Sequence, residues 1–365
     1  MKDRTKETLR DGFGCLVNNS AALRGAKNGP LWLTIVMFFL SILLPVLPLF
    51  ISAANTSGSA FISSKSYGLE RYVTEVATQL KEDKYTFNLN DKHEMEIKAN
   101  GAELAYGDYV SKNPVDENKV LNATPLASYV DGVTGQYDLV LYVSNESGSG
   151  KFAKNLNEFV STKLYKTETV EEKNAETDPD NTTYYTPSYM IVFKDTIYVV
   201  INYGGKAITG SLGGNFNGLK AGQEYLSLLL EVKDKEGNPI TPSMANADYC
   251  DGVLKNFKKF LNKTYDSIKW RNTFATSGIY LAIFAGLSLF MGLLMWVMTR
   301  GKKNPNNYFS IWLCLKLEAR LGLAPGLITF IIGLFLTQYA SMIFILTMGL
   351  RVMWISMKEL RPVQQ

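Results

Sequence analysis

Two chemistries alternate along the chain. Apolar runs occupy both ends. Between them lies a long polar stretch in which hydrophobic residues recur at strand or helix spacing. The first run, LWLTIVMFFLSILLPVLPLFIS at 31–52, has no charged residue and is long enough to cross a hydrocarbon core of about 30 Å. Pro45 and Pro48 remove backbone donors near its far end and predict a kink. The run starts late and exceeds the apolar core of a signal peptide, so it reads as an uncleaved anchor. A second span is predicted at 274–298, FATSGIYLAIFAGLSLFMGLLMWVM. Residues 299–320 then form a cytoplasmic loop and, from Tyr308, an interfacial amphipathic helix, YFSIWLCLKLEAR. Shorter runs at 321–336 and 342–356 predict two further spans, with a re-entrant hairpin as the alternative, and 357–365 is a tail.

The polar stretch, 53–273, carries mixed signals of one α+β domain. A helix is expected over 60–80, where Tyr72, Val73, Val76 and Leu80 recur at helical spacing. Strands are expected at 85–90, 95–99 and 137–143 (YDLVLYV). Another helix is expected at 151–166, with Phe152, Leu156, Phe159, Val160 and Leu164 on one face. Around 190–203 a hairpin turns at Lys194 and Asp195. The acidic segment 168–183 and the glycine-rich segment 204–222 read as loops, and 224–232 as helical. Finally, Tyr249, Val253, Phe257, Phe260, Leu261, Tyr265 and Ile268 make one apolar stripe, on a helix expected to continue directly into the second span. The fold class is therefore a membrane protein: an α-helical bundle of about four spans, with an α+β domain inserted between the first and second.

Charge orients this plan. Lys2, Arg4, Lys6, Arg10, Arg24 and Lys27 lie in the basic segment 1–30 before the first span, and Arg300, Lys302 and Lys303 follow the second. By the positive-inside bias both termini are expected in the cytoplasm and 53–273 outside, in a multi-pass protein of the plasma membrane. Net charge is only +4, which gives no support to a nucleic-acid partner. Mean hydropathy, −0.03, averages the two chemistries and hides both. Of the three cysteines only Cys250 falls in the outer region, so that region has no internal disulfide, which favours a bacterial surface. Five glycosylation-type triplets, at Asn55, Asn122, Asn145, Asn181 and Asn262, are common by chance in such sequence.

Candidate chemistry is sparse. The single histidine, His93, beside Glu94 and Glu96, reads as a turn or strand edge, because a zinc site needs several nitrogen or sulfur ligands. GGKAITGSLGGNFNG lacks the lysine and hydroxyl that end a phosphate loop. Asp178 and Asp180 sit in a segment too polar to perturb them. No catalytic residue, cofactor or metal is therefore expected, and the chain reads as a non-enzyme. Two membrane features stand out. Gly278, Ala282 and Gly286 form a small-residue stripe that would let a helix approach closely. Lys316, Glu318, Arg320 and Arg351 are charges at membrane depth, expected to reach for the inner interface.

The layout resembles a bacterial, mostly Gram-positive family of multi-span membrane proteins of the maltodextrin-utilisation type, whose function is unknown. The resemblance covers most of the chain. It is carried by the basic N-terminus before a proline-ended span, FNLNDKHEMEIKANGAEL, YDLVLYV, YMIVFKDTIYVV and FSIWLCLKLEARLGLAPGLITFIIGLF. One departure is that the aspartate often following the family's middle strand is not evident after YDLVLYV. The family brings no catalytic site. Its sugar link implies an accessory role beside a carbohydrate ABC transporter.

The function expected from these observations is a non-catalytic accessory or scaffold subunit. Its outer domain would bind a partner, and its spans would dock on other membrane subunits such as a sugar permease. Alternatives are an extracytoplasmic ligand sensor, or a translocon-associated factor for membrane-protein biogenesis or quality control.

Overall fold

The computed structural model describes residues 10, 12–62, 68–104, 110–112, 120–131, 137–162, 165–166, 184–185, 187–203, 207–300, 304 and 306–360. The acidic segment 168–183 lies outside them. The chain divides into two compact units. One comprises residues 1–56 and 270–365, the other residues 57–269.

The first unit is helical. α1 (Asn19–Asn28) is capped by Asn18, whose side chain accepts from the Ser20 and Ala21 amides. α2 (Leu31–Leu43) and α3 (Leu47–Asn55) are joined by a 3-10 turn at Leu44–Val46. Pro45 lies in this turn and Pro48 in the first turn of α3, where a missing donor costs least, so the expected kink takes the form of a local change of helix type. The C-terminal helices of this unit are, in part, those expected. The long helix α7, introduced below, supplies its second half. α8 (Ile311–Leu321) is capped by Ser310 and is separated from α9 (Leu323–Gly333) by Gly322 alone. A 3-10 turn at Thr337–Tyr339 leads into α10 (Ala340–Lys358).

Among the described residues three helices are long and apolar enough to cross a membrane: Leu31–Asn55, Ala247–Met298 and Thr337–Lys358. The run at 321–336 is not one of them, because its helix α9 has 11 residues. The unit is inside-out in polarity. Trp32, Phe274, Ile279, Phe335 and Trp354 are each more than half exposed, whereas Ser41, Ser277, Ser288, Thr329, Glu318 and Arg320 are buried. Such a surface suits lipid rather than water, and the protein is membrane-embedded.

The second unit is built on a five-stranded sheet in the order β12-β11-β10-β7-β6. Its strands are β6 (Ala127–Val130), β7 (Tyr137–Val143), β10 (Ser188–Val192), β11 (Thr196–Tyr203) and β12 (Ala207–Asn215). All pairs are antiparallel except β7 with β10, between which the chain passes through α5 (Lys151–Thr162). Alternation along the strands feeds two cores. Val140, Tyr142, Ile191 and Phe193 face α5 through Phe152, Leu156 and Val160. Leu139, Leu141, Met190, Val192 and Val199 face the opposite layer. That layer holds α4 (Leu69–Glu82), the strands β1 (Tyr85–Leu89), β2 (Met95–Ala99) and β3 (Ala102–Glu103), the short α6 (Tyr225–Leu230), and the first half of α7. Among the described residues there are also two antiparallel strand pairs, β4 with β5 (Val110–Lys112 and Val120–Ala123) and β8 with β9 (Tyr165–Lys166 and Tyr184–Tyr185).

α7 runs unbroken from Ala247 to Met298, 52 residues and about 78 Å at the usual helical rise. The expected stripe is real: Tyr249, Val253, Phe257, Leu261 and Ile268 are buried, with Phe260 and Tyr265 partly so. The expected glycine loop is corrected. Residues 207–215 form the edge strand β12, and a 3-10 turn follows at Phe216–Gly218. The glycines serve close approach: a Cβ at Gly214 would stand 2.6 Å from Thr264 Oγ1 of α7, and one at Gly213 would stand 3.2 Å from the Tyr198 ring.

Candidate functional site

The sheet unit contains a cleft of about 310 Å³ between the sheet, α4, α6 and α7. Its floor is the sheet, through Leu141, Met190, Val192 and Ile197, all buried. One wall is α4, whose residues Val73, Val76, Ala77 and Leu80 lie one turn apart. The other is α7 at Phe257 and Phe260. β1 and β2 add Phe87 and Met95. Among the described residues no carboxylate lines the cleft, and its charged groups are Lys259 and Lys263, one turn apart on α7 and both exposed.

The roof is α6, with six residues and only Leu226 buried. So short a helix has little stability of its own and depends on its ends. The Glu224 carboxylate caps the N-terminus, accepting from the Leu226 amide at 3.0 Å and the Ser227 amide at 2.6 Å. It also accepts from the Phe87 amide of β1 at 2.9 Å. At the other end Asn256 Nδ2 of α7 donates to the carbonyls of Leu229 and Glu231, at 3.1 and 2.9 Å. Lys81 of α4 donates to Ser227 Oγ at 2.5 Å.

A second cluster lies where α4 meets β6 and β7. The rings of Tyr72 and Tyr129 are 4.5 Å apart and tilted by 32°. The Tyr72 hydroxyl bonds to Asp138, and its pKa is pushed up to about 12 by burial first and then by the Asp138 charge. Burial, with Asp131 nearby, also raises Asp138, against the lowering effect of the Tyr72 hydrogen bond.

His93 sits as expected in the turn between β1 and β2, with φ of 57°. Among the described residues no group of three or more His, Cys, Asp or Glu is placed to hold a metal ion. No disulfide involves Cys15, Cys250 or Cys314, and all three are buried.

In the helical unit the stripe Gly278, Ala282 and Gly286 is exposed, and a Cβ at either glycine would meet nothing within 4 Å. The close helix approaches are elsewhere. Cβ atoms built on Gly322, just before α9, and on Gly326 and Gly333 of α9 would stand 3.1 Å from Ser41 Cβ, 2.8 Å from the Ser41 carbonyl oxygen and 2.9 Å from Pro48 Cγ of the first span. Likewise a Cβ on Gly292 of α7 would meet a Leu315 methyl at 2.7 Å. The GLAPG segment at 322–326 carries the small-xxx-small spacing that marks this approach in the sequence.

Of the four charges, Glu318 and Arg320 are buried among neighbouring helices, at 1% and 0% exposure, and Lys316 is half-buried. α1 packs on α8 and covers Arg320: its guanidinium lies against Gly25 and Gly29, which have no side chain to displace it. Its Nη2 donates to Thr34 Oγ1 at 3.3 Å. Glu318 Oε1 has no hydrogen-bond partner among the described residues and lies in a groove of about 300 Å³ lined also by Thr34, Phe38 and Lys316. Arg351 is half-buried and tied to three elements: Asn19 Oδ1 at 3.4 Å, the Leu321 carbonyl at 2.9 Å and the Cys15 carbonyl.

Compared with known proteins, the chain matches no family model, no curated protein and no solved structure.

Proposed function

We propose that the chain is a multi-pass membrane protein whose sheet unit is a non-catalytic, extracytoplasmic binding module for a small, largely apolar ligand. The cleft carries this reading. Its volume falls at the lower end of the range for small-molecule sites, and its walls are aliphatic and aromatic. Apolar walls also disfavour a sugar as the occupant, so the carbohydrate link of the resemblance would enter through a transporter partner. The sensor reading thereby moves ahead of the scaffold reading.

The topology that fits is four passes with both termini in the cytoplasm. α8 and α9, 11 residues each and joined by Gly322, together make about 34 Å of nearly continuous helix, enough for the additional pass. Hydrogen bonds at one end of the helical unit support an even number of passes. Ser20 of α1 donates to Glu359 at 2.9 Å. Asn304, just beyond α7, donates to the Leu360 carbonyl at 2.9 Å. Lys27 donates to the Tyr308 hydroxyl at 3.0 Å. That end carries Lys27, Arg300 and Lys358, as a cytoplasmic face should.

The test is thermal melting of the full chain in lipid nanodiscs against amphiphiles and oligosaccharides. A saturable rise in melting temperature with an apolar class, lost when Leu229→Trp fills the cleft mouth, supports the reading. No response from any class would sink it.

The exposed face of Gly278, Ala282 and Gly286 favours a second role, docking against another membrane subunit, for which a sugar permease or a translocon component are the candidates. Copurification that survives Gly286→Leu unchanged would remove that face from consideration.

A further inference from the structure

We infer that the cleft takes a single-chain anionic amphiphile, its chain between α4 and the sheet and its anionic head at Lys259 and Lys263. This rests on the reading of the sheet unit as a binding module and names the ligand class for it.

The cleft is chemically polarised. Its inner walls, Val76, Leu80, Phe87, Met190 and Val192, are buried and offer no hydrogen-bonding side chain. An occupant there must be hydrocarbon, since a polar group would lose its water without compensation. Polar atoms are confined to the rim, and most are already committed. The Tyr225 hydroxyl accepts from the Lys220 amide at 2.8 Å and bonds its carbonyl at 3.0 Å. Asn256 Nδ2 is spent on the carbonyls of the roof.

Lys259 and Lys263 are different. Among the described residues, ion pairs of the sheet unit hold Lys98, Lys194, Lys233 and Lys269, but neither rim lysine. Two like charges one helical turn apart repel, and no carboxylate in the lining relieves them. A single anion between them would, through charge-assisted hydrogen bonds. The cavity, about 310 Å³, suits one chain better than the two of a bilayer lipid. The roof provides a way in: α6 is six residues long, is held by side chains at its ends, and leaves Leu228 exposed at the rim.

The experiment is hydrogen exchange of the full chain in phosphatidylcholine nanodiscs, read at residues 219–231. The probes are dodecanoate, dodecanol as its uncharged counterpart, and acetate as the head alone. Dodecanoate is expected to protect the segment saturably, dodecanol about tenfold more weakly or worse, and acetate not at all. Lys259→Ala with Lys263→Ala, both at exposed positions, should bring dodecanoate down to the dodecanol level. Dodecyl phosphate, run beside dodecanoate, distinguishes a phosphate head from a carboxylate one, and protection by either supports the inference. Equal protection by dodecanoate and dodecanol, unchanged in the double variant, would overturn the anionic head and leave the binding module standing. Absence of protection by every chain-bearing probe would remove both.

Discussion

Gly326 of α9 lies against the backbone of Ser41 in α2, so closely that a methyl group in place of its hydrogen would stand 2.8 Å from the Ser41 carbonyl oxygen. With Gly322 one turn before and Gly333 two turns after, it forms the seam along which α9 meets the first span. In lipid, where hydrocarbon burial gives no net drive between helices, such contact is what holds them together.

Gly326→Val should therefore lower the stability of the full chain by about 3 kcal/mol, since backbone cannot move aside as a side chain can. Gly286→Val, which meets nothing within 4 Å, should change it by less than about 0.5 kcal/mol. Thermal melting in nanodiscs compares the two. Equal effects would mean that the seam is not the packing surface.

Arg351 should behave as a staple. It joins the Cys15 carbonyl, Asn19 of α1 and the last carbonyl of α8. Arg351→Ala leaves these acceptors without their charged donor, at a cost of about 3 kcal/mol, whereas Asn19→Ala removes one contact and costs about 1 kcal/mol. Arg351→Lys should rescue little, because one ammonium cannot reproduce a fork spread over three acceptors. Full rescue by lysine would reduce the role of Arg351 to charge alone.

These two sites show where the sequence was legible and where it was not. β7 and the hairpin turning at Lys194–Asp195 were readable because continuous apolar runs of strand length, rich in β-branched and aromatic residues, end at polar residues. The continuity of α7 was readable because its stripe never breaks before the apolar run. β12 was not, since glycine content marks a loop and a close-packed strand alike, and only Thr264 and Tyr198 tell them apart. The surroundings of Arg320 were hidden for a related reason. An amphipathic pattern says that one face of α8 is polar, but not that the glycines of α1 cover it. The cleft left no mark at all: Val76, Leu80 and Phe257 recur at core spacing whether or not the space between them is filled.

The Tyr72–Asp138 pair makes a pH prediction. Asp138 is raised by burial, so the folded state holds its proton more tightly than the unfolded chain does. Its contribution is then most favourable below the ordinary carboxylate pKa and is lost as pH rises through the folded value. Asp138→Asn should stabilise the chain at neutral pH, with the gain shrinking as pH falls from the raised folded value to the ordinary carboxylate value. Tyr72, raised to about 12, acts in the same direction at the alkaline end: stability declines as pH climbs from about 10, the unfolded phenol value, towards 12. Melting curves across pH, with Tyr72→Phe as the second variant, test both. A gain from Asp138→Asn that does not vary with pH would exclude the carboxyl as its source.

The roof helix offers the most local prediction. α6 is too short to persist unaided, and its two ends are held unequally. Asn256→Ala releases the carbonyls of Leu229 and Glu231, which face the rim and can turn to water. It should cost about 1 kcal/mol and speed amide exchange across residues 225–231 with little change elsewhere. Glu224→Ala removes the N-cap and also the acceptor of the Phe87 amide, so it loosens β1 together with the roof. The expected cost is about 2 kcal/mol, and faster exchange should extend into residues 85–89. If Asn256→Ala spread its effect as widely as Glu224→Ala, α6 would be part of the cooperative core, and a roof that opens independently over the cleft would be excluded.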